Sequence, residues 1–270
     1  MRETVNAMLP SGISERRACQ LIGVARSTKR YQTKKQKNPQ LEVHLCKLAE
    51  RWRRFGYRRL TVMLRCQGQK VNHKKVYRLY CQLNLKLRRR RKNKIKSERR
   101  QPMPLPTNTN QRWSIDFVSD SFWDGRRFRT LNIVDDFSRE CLGIEISTSI
   151  PGARAVRVLD FLVELRGKPQ QIVLDNGPEF TSKVFLKWAE ERNIELSFIE
   201  PGKPIQNAFV ESFNGKFRDE CLNEHWFLNL EDARKKVEKW RNDYNFVRPH
   251  SSLGYLTPEA FKNKNLRAAA

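Results

Sequence analysis

The chain has 270 residues and a formal net charge of +25. No run of 18 or more apolar residues occurs and no secretory hydrophobic segment follows Met1, so we expect a soluble, cytoplasmic protein and not a membrane protein. The charge is one-sided, because residues 1–110 carry 30 Lys and Arg against 5 Asp and Glu, whereas residues 111–270 carry 24 of each. Such a basic front suits DNA or RNA better than a small acidic substrate, with a membrane surface as the weaker alternative.

Residues 11–32 are predicted to form two short helices around a glycine. Ser14 can cap the first helix, Gly23 allows the turn, and Ser27 lies near the start of the second. This pattern is typical of helix-turn-helix proteins.

A longer amphipathic helix is predicted from residue 38 to residue 56, followed by helices near 58–66 and 72–83. The last helix places three cations where they could face DNA phosphates: Lys74, Lys75 and Arg78. The alternative is a basic helical bundle whose charges are merely solvated.

Residues 88–110 combine a charge run with three prolines and no apolar period, which is typical of a linker. Its five successive cations are candidates for contacts along a DNA backbone: Arg88, Arg89, Arg90, Arg91 and Lys92. A passive tether is the alternative.

From residue 111 onward the pattern predicts alternating strands and helices. Three strands come first, at about 111–119, 127–136 and 141–148, and an Asp124-Gly125 pair signals a hairpin between the first two. A helix with Val156, Leu159, Val163 and Leu165 on its apolar face follows. The remaining elements are a strand at 171–175, a helix at 181–192, a strand at 195–199, and helices at 206–224 and 230–245.

Asp116 is the first of three candidate catalytic acids. In the segment 112–118, Trp113, Ile115 and Phe117 alternate onto one face of the strand and Asp116 onto the other. Aspartate is disfavoured in the middle of a strand, so its presence there indicates a function. The alternatives for this position are Asp120, Asp124, Asp135 and Asp136.

The second and third candidate acids have 35 residues between them. Asp175 follows the apolar run 172–174 and precedes Asn176-Gly177, which places it at the C-terminal end of a strand, where open α/β sheets bind ligands. Glu211 lies one or two turns into its predicted helix and shares a polar face with Asn207, Asn214 and Arg218. The opposite stripe is predicted to be buried: Phe209, Phe213 and Phe217. Taken singly, Asp175 could mark only a tight turn, and Glu211 only a solvated helix position.

Together, these acids predict a metal-dependent phosphoryl transferase that acts on nucleic acid. Mg²⁺ and Mn²⁺ prefer carboxylate and water oxygens, and two such ions can clamp the attacking and leaving oxygens of a displacement at phosphorus. We therefore expect Asp116, Asp175 and Glu211 to be the catalytic residues and the ligands of two ions. The six cysteines include no Cys-x-x-Cys pair and the histidines do not cluster with them, so we do not expect a zinc site.

The chain resembles the DDE superfamily of transposases and retroviral integrases, and within it the downstream-frame products of two-frame insertion sequences. The resemblance spans residues 111–261 and rests on the motifs Trp113-Ser114-Ile115-Asp116-Phe117, Asp175-Asn176-Gly177-Pro178-Glu179-Phe180, Pro201-Gly202-Lys203-Pro204, Glu211-Ser212-Phe213-Asn214 and Arg248-Pro249-His250. Residues 38–85 resemble the helix-turn-helix module of the same proteins. Arg218 fills a position, seven after the glutamate, where this family often has lysine.

The resemblance implies a mixed α/β fold, namely a ribonuclease-H-like core at 111–270, preceded by a basic all-helical region at 1–87 and the linker at 88–110. It also implies cleavage at the ends of a DNA element and direct attack of the 3′-hydroxyls on target DNA, without a covalent enzyme intermediate. Lys203, Asn207 and Arg218 are then expected to hold the DNA end.

The expected partners are double-stranded DNA, further copies of the chain on that DNA, and an upstream-frame protein or fusion, in the nucleoid of a bacterial cytoplasm. Two other functions stay open at this point. One is a non-catalytic DNA-binding regulatory product of the element, and the other is a ribonuclease-H-type nuclease.

Overall fold

The computed structural model describes residues 1–31, 38–87, 104–200 and 207–269. The chain divides into two compact units, residues 1–43 and 44–270. Most of the predicted linker lies outside the described residues, and the predicted domain boundaries stay a prediction.

The first unit contains three short helices, α1 (Arg2–Met8), α2 (Glu15–Ile22) and α3 (Arg26–Arg30). The Ser14 hydroxyl accepts a hydrogen bond from the Arg17 amide, and Gly23 ends α2 in the left-handed conformation with φ of 69°. These features confirm the two helices predicted around Gly23, whereas α1 was not predicted. Val5, Ala18 and Cys19 form a small buried cluster.

Three longer helices follow, α4 (Pro39–Arg51), α5 (Tyr57–Cys66) and α6 (His73–Gln82). The Asn72 side chain caps α6 by accepting a hydrogen bond from the Lys74 amide. Leu41, Leu45 and Leu48 are buried on α4, as its predicted amphipathic pattern requires. The buried residues of α5 and α6 also repeat at helical spacing: Leu60, Leu64, Val76 and Tyr80.

A five-stranded mixed sheet forms the centre of the second unit. Its strands are β1 (Arg112–Ser121), β2 (Arg127–Asp135), β3 (Cys141–Ser147), β4 (Gln171–Leu174) and β5 (Glu195–Phe198). The spatial order is β3-β2-β1-β4-β5, with the first three strands antiparallel and β4 and β5 parallel to β1. This arrangement confirms the predicted ribonuclease-H-like sheet.

Helices cover both faces of the sheet. One core joins Trp113, Ile115 and Leu131 to α7 (Gly152–Arg166) and α8 (Lys183–Glu191). The other joins Val118 and Phe128 to α9 (Ala208–Glu220) and α10 (Leu230–Asn242). The side chains of β1 therefore alternate between the two cores, as predicted. A last helix, α11 (Pro258–Ala269), was not predicted.

Three predicted details are corrected by the structure. Leu165 is 61% exposed and Leu162 takes the buried place, because position 165 lies on the opposite side of α7 from Leu159. The helix predicted to reach residue 224 ends at Glu220 and gives way to a 3-10 turn, Leu222–Glu224. Helix α10 ends at Asn242 and continues as a π-helical turn over Asp243–Val247.

None of the helices in the described ranges is long and apolar enough to cross a bilayer.

Candidate active site

Asp116 lies in the middle of the central strand β1, opposite Asn132 of β2. Its neighbours Ile115 and Phe117 belong to the α7–α8 side of the sheet, so the Asp116 side chain is on the side covered by α9. Helix α9 packs on both β1 and β2. The Asp116 carboxylate therefore faces α9, where a hydrogen-bond donor on the helix can reach it.

Two asparagines supply that polar connection. Asn214 of α9 donates to Asp116 Oδ2 at 2.7 Å, and Asn132 donates to Asn214 Oδ1 at 2.7 Å. Both amides are buried, and the Phe117 backbone N–H donates to the other carboxylate oxygen, Asp116 Oδ1, at 2.8 Å. The Asp116 carboxylate is thus held on both oxygens, which restricts its rotation.

The sequence analysis placed Asn214 only on a polar helix face and did not single out Asn132. A signal for Asn132 was present, since an asparagine within the apolar run 131–134 needs a buried hydrogen-bond partner.

Asp175 comes level with Asp116 through the parallel pairing of β1 and β4. The last paired residues are Ser114 and Val173, and each acid lies two positions further along its strand. Val173 points away from the core that contains Ile172 and Leu174, so Asp175 is directed to the same side of the sheet as Asp116.

The loop after Asp175 is fitted closely around its carboxylate. The Gly177 N–H donates to Asp175 Oδ1 at 3.0 Å, and a Cβ at position 177 would lie 2.9 Å from that oxygen. Glycine is therefore required for this approach. Glu179 forms an ion pair with Arg129 of β2, whose guanidinium lies 4.3 Å from the centre of the Phe117 ring. This contact fastens the loop beside the strand that carries Asp116.

Glu211 and Arg218 are both exposed on α9, two helical turns apart. The predicted buried stripe on this helix is confirmed for Phe213 and Phe217, which are at most 1% exposed. Phe209 is only partly buried, and its ring lies 3.6 Å from the Arg139 guanidinium carbon.

Asn207 is buried, at 3% exposure, and its side chain donates to the Ile115 carbonyl at 3.3 Å. The structure therefore gives Asn207 a contact within the core, and DNA binding by this residue stays a prediction.

The electrostatics of Asp116 indicate that the three acids are neighbours. The pKa of its carboxyl is raised from 3.8 to about 6, first by burial and then by the negative charges of Asp175 and Glu211. The hydrogen bonds from Phe117 and Asn214 act in the opposite direction. Asp175 and Glu211 both add negative charge near this carboxylate.

The residues present fit a divalent cation by their chemistry, because all three candidate ligands offer carboxylate oxygens, the donors that Mg²⁺ and Mn²⁺ prefer. Within the described ranges, however, no three Asp, Glu, His or Cys side chains already stand close enough together to hold a metal ion. Binding of an ion at the three acids would therefore require their side chains, of which Glu211 is the exposed one, to rotate toward each other.

The competing acids have other roles. Asp136 is buried, accepts hydrogen bonds from Ser114 at 2.6 Å and Arg112 at 2.6 Å, and forms an ion pair with the latter. Asp135 accepts from the Asn110 and Ser138 backbone amides and so fixes a turn. Asp124 is paired with Arg126 in the β1–β2 hairpin, and Asp120 accepts from the next backbone amide.

The predicted DNA-binding residues fall into two groups. Lys74 and Arg78 are exposed and Lys75 is half-buried on α6, where none of them has an acid partner within the described ranges. Lys203 and the cations Arg88, Arg89, Arg90, Arg91 and Lys92 lie outside the described residues.

Three family models match the chain. Two are described as integrase core domain, over residues 106–204 and 192–258, and one as HTH-like domain, over residues 39–93. The chain is also 47% identical, over its whole length and 95% of the relative, to the 31.7 kDa protein of insertion element IS407 from Burkholderia multivorans. The chain belongs to the DDE transposases of insertion sequences. DNA transposition is therefore its function.

The chain is also similar to a relative of lower identity and, in fold, to one solved structure. The transposase InsF of insertion sequence IS3A from Escherichia coli is 29% identical, with 58% of this chain and 55% of the relative covered. A chain of the simian T-cell lymphotropic virus intasome superposes with a TM-score of 0.52 at 18% identity, covering 81% of this chain and 74% of the viral one, which shows the fold. As a family, these transposases cut DNA and transfer strands with divalent metal ions, and this holds for the present chain at that level.

The convergence of the acids predicts a titration in the metal-free protein. Because the raised pKa keeps the proton on Asp116 up to about pH 6, its charge should appear only as the pH rises through that value. Carbon-13 NMR of the aspartate carboxyls measures this directly. Asp175→Asn should lower the pKa of Asp116 by removing a repelling charge, whereas Asn214→Leu should raise it by removing a hydrogen bond.

Asp120→Asn is the matched control, because Asp120 lies on the same strand and bonds only to a neighbouring amide. It should leave the titration of Asp116 unchanged. A pKa of Asp116 that does not respond to Asp175→Asn would show that the two carboxyls are not neighbours.

Proposed function

We propose that Asp116, Asp175 and Glu211 together hold the divalent cations, two per site, with which this transposase cuts element ends and transfers the exposed 3′-hydroxyls to target DNA. The observations that support the proposal are the β1–β4 pairing, which brings Asp116 and Asp175 level, and the pKa of Asp116, which burial raises first and the charges of Asp175 and Glu211 raise further. An excess of negative charge of this kind favours cation binding.

The surrounding residues have distinct roles in this proposal. Asn214 and Asn132 fix the direction of the Asp116 carboxylate, and the Arg129–Glu179 pair holds the loop of Asp175 against Phe117. When bound, the cations stabilise charge at the phosphate and activate water or a 3′-hydroxyl as the nucleophile. The protein supplies the position of the ligands, and because a protonated Asp116 is a poor ligand, cation binding would displace its proton.

DNA contacts belong to two regions in this proposal. Arg218 shares the exposed side of α9 with Glu211, about 10 Å further along the helix, which suits a contact with a phosphate next to the reacting one. Lys203 and the cations at 88–92 are proposed to contact the same DNA end. Lys74, Lys75 and Arg78 face outward from α6 and are proposed to bind the duplex further away.

Single substitutions should separate catalysis from DNA binding. With Mg²⁺ and a duplex carrying the DNA that flanks this gene, Asp116→Asn, Asp175→Asn and Glu211→Gln should each lower cleavage and strand transfer by roughly a thousandfold, because each loses a cation ligand. Binding of the same duplex, measured by fluorescence anisotropy, should stay at least as tight as in the wild type.

Asp120→Asn serves again as the control and should keep cleavage within about twofold of the wild type. Full activity in any one of the three variants would remove that residue from the site. Cleavage without any strand transfer by the wild type would favour a nuclease.

The exposed face of α6 should account for part of the salt dependence of DNA binding. The double variant Lys74→Ala, Arg78→Ala should reduce the slope of log affinity against log salt concentration by about two, because each phosphate contact releases about one counterion. Anisotropy titrations over a salt series measure this slope.

Lys183→Ala with Lys187→Ala, on the exposed surface of α8, is the matched control for the loss of two charges. Equal slopes for the two double variants would mean that α6 has no special role in binding DNA.

A further inference from the structure

The cations of residues 44–87 fall into two sets, according to whether they pair with an acid. Four arginines, from the end of α4 through the connection that follows it to the start of α5, lie against acids of the C-terminal part of the chain. The pairs are Arg51–Asp243 at 3.9 Å, Arg53–Glu224 at 3.5 Å, Arg54–Glu224 at 3.9 Å and Arg59–Glu220 at 3.7 Å. By contrast, Lys74, Lys75 and Arg78 of α6 have no acid partner in the described part of the chain.

Burial distinguishes the pair of Arg59 from the other three. Arg51 and Arg53 are 64% and 74% exposed, so their pairs contribute little in water. Arg59 and Glu220 are 24% and 10% exposed. Glu220 also accepts two hydrogen bonds from Arg248, at 2.7 and 2.5 Å, and Arg248 is 1% exposed. Glu220 is thus hydrogen-bonded to Arg248 and lies within ion-pair distance of Arg59 in a largely buried setting, where removal of one partner leaves an uncompensated charge.

An aromatic residue completes this contact. Phe55, between α4 and α5, is only 2% exposed and stacks on Trp52 with ring centres 4.9 Å apart. The Arg59 and Arg248 guanidinium carbons lie 5.3 Å and 5.7 Å from the Phe55 ring centre. The contact therefore combines apolar burial, cation–π attraction and the shared carboxylate.

The position of Glu220 gives the contact a functional meaning. Glu220 is the last residue of α9, the helix that also carries Asn214 and Glu211. Nine residues of helix separate Glu211 from Glu220, a distance of about 14 Å. A helix of this length behaves as a rigid rod. A contact that holds the C-terminal end of α9 in place therefore also restricts the position of Glu211.

We propose that Phe55, Arg59, Glu220 and Arg248 form a docking joint that seats the helix-turn-helix-like region, residues 44–87, on the end of α9. Arg59 and Phe55 are positioning residues of this joint, and Arg59 does not contact DNA. In this proposal the exposed cations of α6, Lys74 and Arg78, remain available to DNA. Its effect on Glu211 rests on the proposed function of the three acids.

Hydrogen exchange of the full-length, metal-free protein tests the joint. Arg59→Glu places a carboxylate against Glu220, so exchange of the α9 backbone amides should rise by about tenfold or more. Arg65→Glu is the matched control, because it makes the same charge change on the same helix at an exposed residue bonded only to the Val71 carbonyl. Exchange in α9 of the control should stay at the wild-type rate.

DNA binding separates a docking residue from a DNA-binding one. With a random-sequence duplex as the probe, Arg59→Glu and Arg65→Glu should lose the same affinity, since both remove one positive and add one negative charge. A larger loss for Arg59→Glu, or unchanged exchange in α9, would overturn the proposal. Arg59→Gln, which removes the charge without repulsion, should shift exchange in the same direction if Arg59→Glu proves unfolded by circular dichroism.

These outcomes do not depend on the chemistry of the three acids, because exchange is measured without metal or cleavage. Failure of the acid variants to lose activity would leave the docking result intact. If the joint does position Glu211, Arg59→Gln should lower the rate of strand transfer at saturating DNA. Arg59→Lys keeps the positive charge, so it should lower that rate less than Arg59→Gln does.

Discussion

The register between β1 and β4 is the constraint on which the candidate site depends. Parallel pairing that ends at Ser114 and Val173 brings Asp116 and Asp175 level on one side of the sheet. A shift of one residue would turn one of these carboxylates into the opposite core. The antiparallel pairing of β1 with β2 then places Asn132 opposite Asp116. Asn214 of α9 is hydrogen-bonded to both side chains and so connects the helix to the two strands.

Holding acids together in this way opposes the folding of the protein without metal. The raised pKa of Asp116 means that its ionised form is disfavoured, so above about pH 6 the folded protein carries an uncompensated charge. Stability that comes from the protonated form is present at lower pH and is lost as the pH rises through that value. The Asn214 amide and the Phe117 backbone N–H partly offset this cost, and a divalent cation would offset more of it.

The sequence predicted most strands and helices of the core and placed Asp116 in a strand, Asp175 at a strand end and Glu211 in a helix, because these positions depend on local spacing, whereas their catalytic role stays a prediction. It could not predict contacts made only by packing. Asn132 meets Asn214 across 82 positions, and Arg59 of α5 meets Glu220 at the end of α9, so neither partner is visible in the local pattern. For the same reason, the excess of cations at the front predicted DNA binding but not which arginines would pair with acids of the same chain. Asn207, expected to hold DNA, is buried against Ile115.

The most direct test of the central claim is a crystal structure of the protein grown with Mn²⁺ and bound to a DNA end, with the ions located by anomalous scattering. The account predicts anomalous peaks at about 2.1 to 2.2 Å from carboxylate oxygens of Asp116 and Asp175, with Glu211 bound to at least one of them. Peaks confined to other acids, or none at these three with saturating Mn²⁺, would contradict it.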